Sequence, residues 1–179
     1  MQNKLTDDEL CHYLTEVFKN IFPHLTIIGG AEEPYYSSPK EDSNAAIYYR
    51  SDYPRSLLHE MAHYCLAGGR RRNIDDFGYW YSPCGRTQEE QKKFELVEAR
   101  PQGLEKAMCQ IVGIRFSASI DDFSGRPPSD GFLLKLDHYY NQMLVDPPLT
   151  AKKALNGLKE AAKGGGESLT TYSIGAQRL

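Results

Sequence analysis

Helical spacing dominates the hydrophobic pattern of the chain. Apolar residues recur every three or four positions over residues 10–21, directly after a capping box formed by Thr6 and Glu9. The same spacing predicts helices over residues 129–145 and 150–162, and each begins at a hydroxyl residue that can cap a helix. The pattern therefore predicts a domain built mainly of helices.

A long helix is predicted to begin at a second capping box, residues 87–90. Its apolar spacing continues past Pro101, which lacks the N–H group that a helix interior needs. We therefore expect a kink or break near Arg100, followed by a second helical arm. A shorter helix is predicted between Pro54, which suits a first helical turn, and Gly68, which suits a helix end.

Two segments rich in β-forming residues predict strands at residues 24–28 and 45–50. We expect them to pair as a small antiparallel sheet, joined by a long loop over residues 32–44. The predicted class is α+β, with one helix-dominated domain over residues 1–163. The glycine-rich stretch over residues 164–179 is expected to be a flexible tail.

Composition and charge describe an ordinary globular chain of 179 residues, with 40% hydrophobic and 25% charged residues. A net charge of −3 gives no basic footprint, so neither nucleic acid nor a membrane is expected as a partner. The four cysteines form no C-x-x-C pair, which argues against a zinc ribbon and a disulfide framework. Neither a signal peptide nor a transmembrane run is recognised, so a cytoplasmic location is expected.

The motif His59-Glu60-Met61-Ala62-His63 lies within the shorter helix. Histidines four residues apart share one face of a helix, so both imidazoles can reach one metal ion. Glu60 lies about 100° around the helix from His59, close enough to act on a metal-bound water or to support a ligand. This spacing favours a metal site over a helix that carries two histidines for other reasons.

A polar stripe on the long helix offers a third ligand. Glu95, Glu98 and Gln102 are spaced i, i+3, i+7 among apolar neighbours, so the stripe is not expected to face only solvent. Two histidines and one carboxylate leave coordination positions open for water, oxygen or substrate. Hydrolytic zinc enzymes and non-haem iron(II) oxygenases both use such a set, and the spacing leaves both open.

Three blocks of the sequence match one known family in order and spacing. They read LHEMAHYCLAG at residues 58–68, DFGYWYSPCGR at 76–86 and FELVEARPQ at 94–102. Together they resemble the bacterial elongation factor P hydroxylases. The segment Glu33-Pro34-Tyr35-Tyr36 is also similar to that family, and the resemblance covers about residues 5–160.

The resemblance implies an oxidoreductase, a monooxygenase-like hydroxylase that acts on translation elongation factor P. Its substrate is a lysine side chain of that factor, after other enzymes have extended the lysine with a β-lysyl group. The family's 2-His-1-carboxylate set corresponds to His59, His63 and Glu98 here, with Fe(2+) as the metal and O2 as co-substrate. Glu60 is then expected to assist catalysis at the metal. The identity of the metal (iron or zinc), the reductant, the hydroxylated carbon and the oligomeric state stay open.

The residues around this centre receive roles from the same hypothesis. Glu95 and Gln102, one turn on either side of Glu98, are expected to support the ligands. Aromatic residues are expected to line the entry for the long modified lysine, and acidic residues to attract its amines. These pocket residues are Tyr79, Trp80, Tyr81, Asp75, Asp76 and Glu33.

Two other classes of function fit the same residues. A zinc peptidase would use His59, His63 and Glu98 as ligands and Glu60 as the general base for a metal-bound water. A non-enzymatic, metal-stabilised module that binds a translation factor is the other candidate. A hydroxylase loses activity without oxygen whereas a peptidase does not, and a binding module leaves the mass of the factor unchanged.

Overall fold

The computed structural model describes residues 5–51, 53–79, 85–121 and 127–164. Three strands form one sheet: β1 (Leu25–Ala31), β2 (Tyr35–Ser37) and β3 (Ala45–Arg50). The class predicted from the sequence, helix-dominated α+β, is confirmed. The helices in chain order are α1 (Asp7–Ile21), α2 (Pro54–Leu66), α3 (Gly68–Arg71), α4 (Gln88–Val112), α5 (Asp130–Val145) and α6 (Leu149–Gly164).

The sheet is mixed, and this corrects one prediction. β1 and β3 pair in parallel, with Leu25 opposite Ala45, whereas the sequence predicts an antiparallel pair. The reason is that part of the predicted loop forms β2, which runs antiparallel to β3. The chain therefore reverses twice before it enters β3. The strand order β1-β3-β2 puts β3 at the centre of the sheet and β2 at an edge.

Helix α4 is continuous across Pro101, so the predicted division into two helical arms is wrong. Proline inside a helix costs about 3 kcal/mol because one backbone hydrogen bond is lost. Here Pro101 is buried, and α4 packs against α2, α5 and α6. This packing holds the helix together where local propensity favours a break. One face of α4 therefore continues unbroken on both sides of Pro101.

Two helices of the core carry the candidate metal ligands. Leu57 and Leu58 of α2 are fully buried, as are Leu104 and Met108 of α4. On its other side α4 lies so close to α5 that a Cβ atom on Gly103 would be 2.8 Å from the backbone nitrogen of Tyr140. This packing fixes the rotation of each helix about its axis. It therefore also fixes the direction in which the polar residues of each helix point.

Residues 114–121, which we call the strap, leave α4 without regular secondary structure. Side chains, rather than a neighbouring strand, supply the hydrogen-bond partners of its backbone. The side-chain amide of Gln102 donates to the carbonyl oxygen of Ser119 at 2.6 Å and accepts from its N–H at 3.0 Å. Arg55 and Arg86 donate to further carbonyl oxygens of the strap. The strap is thereby held against α2 and α4.

Within the described ranges, no helix has the length and apolar character needed to cross a membrane. The predicted pocket residues Trp80 and Tyr81 lie outside those ranges, as does the predicted tail beyond Gly164.

Candidate metal centre

Helix α2 places the two histidines of the motif side by side. Its buried residues, which include Leu58 and Met61, face the core and leave His59 and His63 partly exposed along one side. The Nε2 atoms of the two imidazoles lie 3.1 Å apart. Two ring nitrogens at this separation are positioned to share one proton or one metal ion.

Helix α4 brings Glu98 against this pair. Glu98 is only 4% exposed, and its Oε1 lies 3.3 Å from His63 Nε2, while its Oε2 lies 3.5 Å from His59 Nε2. One ligand atom from each of the three residues lies within 4.8 Å of the other two. The structure therefore brings together the three residues that the sequence assigns to one metal ion.

The three donors fit a divalent transition metal. Two ligands, each about 2.1 Å from one ion and about 90° to 109° apart, are separated by about 3.0 to 3.4 Å. The separations among His59, His63 and Glu98 are close to these values. Imidazole nitrogen and carboxylate oxygen suit both iron(II) and zinc. A buried carboxylate also needs a compensating charge, which a bound cation would supply.

The buried groups of the centre shift one another's pKa. Burial raises the pKa of Glu98, but the neighbouring His63 and His59 outweigh it and lower that pKa to about 2. Burial lowers the pKa of His59, but Glu105 above all, with Glu98, raises it to about 10. Burial raises the pKa of Glu60. A metal that binds here displaces protons from the histidines.

Glu105 belongs to the centre although the sequence interpretation does not include it. It is 2% exposed, and its Oε2 lies 2.9 Å from Nδ1 of His59. Arg55 donates to the other carboxylate oxygen from Nε and Nη2, each at 3.3 Å. The sequence does contain an indication of this position, because Glu105 extends the stripe of Glu98 and Gln102 by one further helical turn.

The two residues predicted to support Glu98 lie in different places. Gln102 is 2% exposed, and its Nε2 lies 3.4 Å from Oε2 of Glu98. Glu95 does not reach the centre, because it accepts a hydrogen bond from Ser129 Oγ at 2.5 Å and lines a separate surface depression. It lies one turn nearer the start of α4, where that helix faces the first turn of α5 rather than α2.

An acidic cavity of about 500 Å³ opens beside the three candidate ligands. Among the described residues of its lining, acidic residues outnumber arginines six to two, which favours a cationic ligand. Phe77, Tyr79 and Phe94 add aromatic surface. The charged lining residues are Glu33, Glu60, Asp76, Glu98, Glu105, Asp121, Arg50 and Arg55.

The pocket residues predicted from the sequence can be located in part. Glu33, Asp76 and Tyr79 all line the cavity, and the ring of Tyr79 lies 6.1 Å from that of His63. Asp75 lies outside its lining and instead binds the backbone N–H of Ser38 at 2.8 Å. The predicted roles of Trp80 and Tyr81 concern positions beyond the described residues.

A turn with an uncommon backbone forms part of the cavity wall. Asp76 and Phe77 have φ angles of 48° and 56°, values that non-glycine residues adopt rarely. Contacts with Tyr36 hold the turn: Asp76 Oδ1 accepts from its N–H at 2.8 Å, and Phe77 stacks on its ring at 4.0 Å. The ring of Phe77 also lies 6.3 Å from that of His63. The turn thus brings an acid and an aromatic ring beside the ligands.

Comparison with known proteins decides the family. A sequence model of the family described as elongation factor P hydroxylase matches residues 14–154. The chain belongs to the elongation factor P hydroxylase family. A relative from Haemophilus influenzae, named elongation factor P lysine hydroxylase, is 39% identical over 127 residues, which are 71% of this chain and 70% of the relative.

The match confirms the family resemblance found in the sequence. The three candidate ligands and Glu105 all lie inside the stretch that the elongation factor P hydroxylase model covers. The centre is therefore part of the segment shared with the family.

Proposed function

We propose that this chain is an iron-dependent, oxygen-using hydroxylase of the β-lysylated lysine of translation elongation factor P. The observation that carries the proposal is the triangle of His59, His63 and Glu98 beside an acidic cavity, in a chain of this family. The related protein from Haemophilus influenzae is named as a lysine hydroxylase of the same factor. Because the proposed substrate is a translation factor, we infer that the chain acts in the cytoplasm.

A metal bound there would supply the activation of O2. One oxygen atom then enters a carbon–hydrogen bond of the substrate, and the other leaves as water with two electrons from an external reductant and two protons. His59, His63 and Glu98 would hold the metal, and the cavity beside them would leave room for O2 and the substrate. Gln102 steadies the Glu98 carboxylate through the contact at 3.4 Å. Partial burial of both histidines limits access of bulk water.

Glu60 is the candidate for proton transfer. It lines the cavity next to the two histidines in the helix, and burial raises the pKa of its carboxyl group. A carboxyl group with a raised pKa takes up a proton more readily, so Glu60 is suited to exchange protons with a group bound in the cavity.

The cavity suits a long side chain that ends in amines. A β-lysylated lysine carries two amino groups, and acidic residues at the cavity wall would hold them by charge-assisted hydrogen bonds. Glu33 and Asp76 are the acids assigned to this role, with Tyr79 as an aromatic wall. The predicted contribution of Trp80 and Tyr81 to the entry belongs to the same proposal.

A zinc peptidase is the rival that the site also supports. The supporting observation is that Glu60 lines the cavity next to His59 and His63, as a general base for a metal-bound water requires. The two proposals differ in their need for oxygen and in the product that they form.

The test is mass spectrometry of β-lysylated elongation factor P after incubation with this chain, Fe(2+), a reductant and air. We expect the factor to gain one oxygen atom on the modified lysine. Omission of oxygen should abolish the gain, as should His63→Ala, which removes one of the three donors. His12→Ala serves as the matched control, because His12 is an exposed histidine on α1.

Four results would contradict the hydroxylase as proposed. An unchanged mass with a metal-loaded protein would reject it, and a stable complex with unchanged mass would point to a binding module. Cleavage of the factor in both air and nitrogen would favour the zinc peptidase. Equal activity of His63→Ala and the wild type would exclude the metal centre from the reaction.

A further inference from the structure

We propose that Glu105 is a positioning residue of the metal centre, which holds the His59 imidazole with its proton on Nδ1 and its Nε2 lone pair directed at the metal. The inference rests on the proposed metal site and deepens it, since Glu105 was assigned no role from the sequence. It concerns metal binding by the protein and can be measured without the hydroxylation reaction.

The geometry of the hydrogen bond carries the proposal. Glu105 Oε2 lies 2.9 Å from Nδ1 of His59, while Nε2 of the same ring lies 3.1 Å from His63 and 3.5 Å from Glu98. One nitrogen of the ring thus faces a carboxylate outside the donor triangle, and the other faces the triangle itself. An ionised carboxylate can only accept a hydrogen bond, so Nδ1 of His59 must be the donor and carry the hydrogen.

The tautomer matters because a neutral imidazole has one N–H group and one lone pair. A ring with its proton on Nε2 would direct that proton at the metal position and bind no ion through that atom. A carboxylate at the remote nitrogen fixes the useful tautomer and increases the basicity of the ligating nitrogen. Of the two histidines, only His59 has a carboxylate at its Nδ1 among the residues that the structure describes.

Arg55 keeps the Glu105 carboxylate in place. It lies on α2 one turn before His59 and donates to Oε1 of Glu105, which leaves Oε2 for the imidazole. Both Glu105 oxygens therefore have a partner, as a carboxylate that is only 2% exposed requires. Arg55 also donates to the carbonyl oxygen of Ser117 at 2.5 Å, so the strap fixes the guanidinium from the other side.

The experiment measures Co(2+) binding to the purified full chain by competition with a chelator, together with the visible absorption spectrum of the bound ion. The variants are Glu105→Gln, which keeps the shape of the side chain, and Glu105→Ala, which removes the contact. The matched control is Glu89→Gln, an exposed glutamate in the first turn of the same helix. Circular dichroism and thermal melting of each metal-free variant report on folding.

We expect Co(2+) affinity to fall about tenfold in Glu105→Gln and up to about 100-fold in Glu105→Ala, with a changed absorption spectrum in both. Glu89→Gln should match the wild type in affinity and spectrum. A purely structural role of Glu105 would lower the melting temperature of the metal-free protein but leave the spectrum of bound Co(2+) unchanged. Wild-type affinity and spectrum in a folded Glu105→Gln variant would overturn the proposal.

A further variant separates this proposal from the proposed function. His63→Ala removes a candidate ligand. If the wild type and His63→Ala bind Co(2+) equally, the metal centre itself is wrong. If His63→Ala loses the metal while both Glu105 variants keep wild-type affinity and spectrum, the centre stands and only the role of Glu105 fails.

Discussion

The carboxylate residues around this centre differ in the partners that their two oxygen atoms contact. Glu98 faces both imidazoles, whereas Glu105 divides its two oxygens between His59 and Arg55. Asp76 uses one oxygen to accept the N–H of Tyr36 and lines the cavity. Carboxylates around this candidate centre could therefore serve as metal donor, as ligand support and as part of the pocket wall.

Asp75 gives a prediction at the residue scale. Hydrogen bonds from the Ser38 hydroxyl and backbone N–H, and then from Lys40, hold the pKa of Asp75 well below its usual value of 3.8. A carboxyl group with a depressed pKa in the folded state stabilises the fold above its unfolded pKa and loses this contribution as pH falls through the folded pKa. We therefore expect Asp75→Asn to be less stable than the wild type at pH 7.

Urea unfolding from pH 7 downward measures this difference. The difference in unfolding free energy between the wild type and Asp75→Asn should stay constant above about pH 5 and narrow at lower pH. Asp42→Asn changes an exposed aspartate between β2 and β3, and its unfolding free energy should equal that of the wild type. A difference in unfolding free energy that widens on acidification would contradict the lowered pKa of Asp75 in the folded state.

The difference between Glu95 and Glu105 shows where sequence reasoning stops at this scale. Both lie on the stripe that includes Glu98, but the sequence interpretation includes Glu95 and not Glu105, which lies beyond Gln102. The structure gives the opposite result, since α4 turns Glu95 towards Ser129 and Glu105 towards His59. Spacing within one helix identifies the shared face, but only the packing of neighbouring helices decides which residue meets which partner.

At the scale of elements, α4 and α5 pack closely at Gly103. A Cβ on Gly103 would lie 2.8 Å from the backbone nitrogen of Tyr140 and 3.1 Å from the carbonyl oxygen of Leu136. Backbone atoms cannot move aside without displacing α5. We expect Gly103→Ala to destabilise the fold by about 1 to 3 kcal/mol, despite the better helix propensity of alanine.

Thermal melting tests this, with a fall of about 2 to 10 °C expected for a domain of this size. Gly157→Ala in α6 is the matched control, because its Cβ would meet the side chain of Ile21 rather than backbone atoms. The end of that side chain can rotate away, so the loss should be smaller than in Gly103→Ala. Equal or greater stability of Gly103→Ala would show that the two helices can separate freely.

Elements defined by local chemistry could be predicted, whereas those defined by distant contacts could not. The capping boxes of α1 and α4 are both present, because each involves residues three positions apart. The direction of β3 relative to β1 depends on the short strand β2 between them, which resembles a polar loop in sequence. The continuity of α4 at Pro101 depends on burial among three other helices.

At the scale of the whole molecule, the metal centre joins two helices that are far apart in sequence. His59 and His63 come from α2 and Glu98 from α4, so one ion would link the two. A ligand that binds only the folded state stabilises it, by about 2.7 kcal/mol when its free concentration is 100 times its Kd. Metal removal should therefore lower the stability of the whole domain.

Thermal melting with Fe(2+) under nitrogen, and then with excess chelator, measures this effect. We expect the melting temperature to fall by about 5 to 10 °C on chelation and to recover when metal is restored. His63→Ala should melt at the same temperature in both conditions. If chelation leaves the melting temperature of the wild type unchanged, the stability of the fold does not depend on a bound metal, and the prediction is wrong.

The turn at Asp75 and Asp76 has a consequence for how copies of this chain behave together in solution. β2 is an edge strand, and the two carboxylates accept the backbone N–H groups of Ser38 and Tyr36. An exposed edge with free N–H groups is a template on which another chain can add a strand and begin aggregation. Reshaping the cavity at Asp76 to admit a different substrate would also uncover part of this edge, so catalytic redesign and solubility are linked at one side chain.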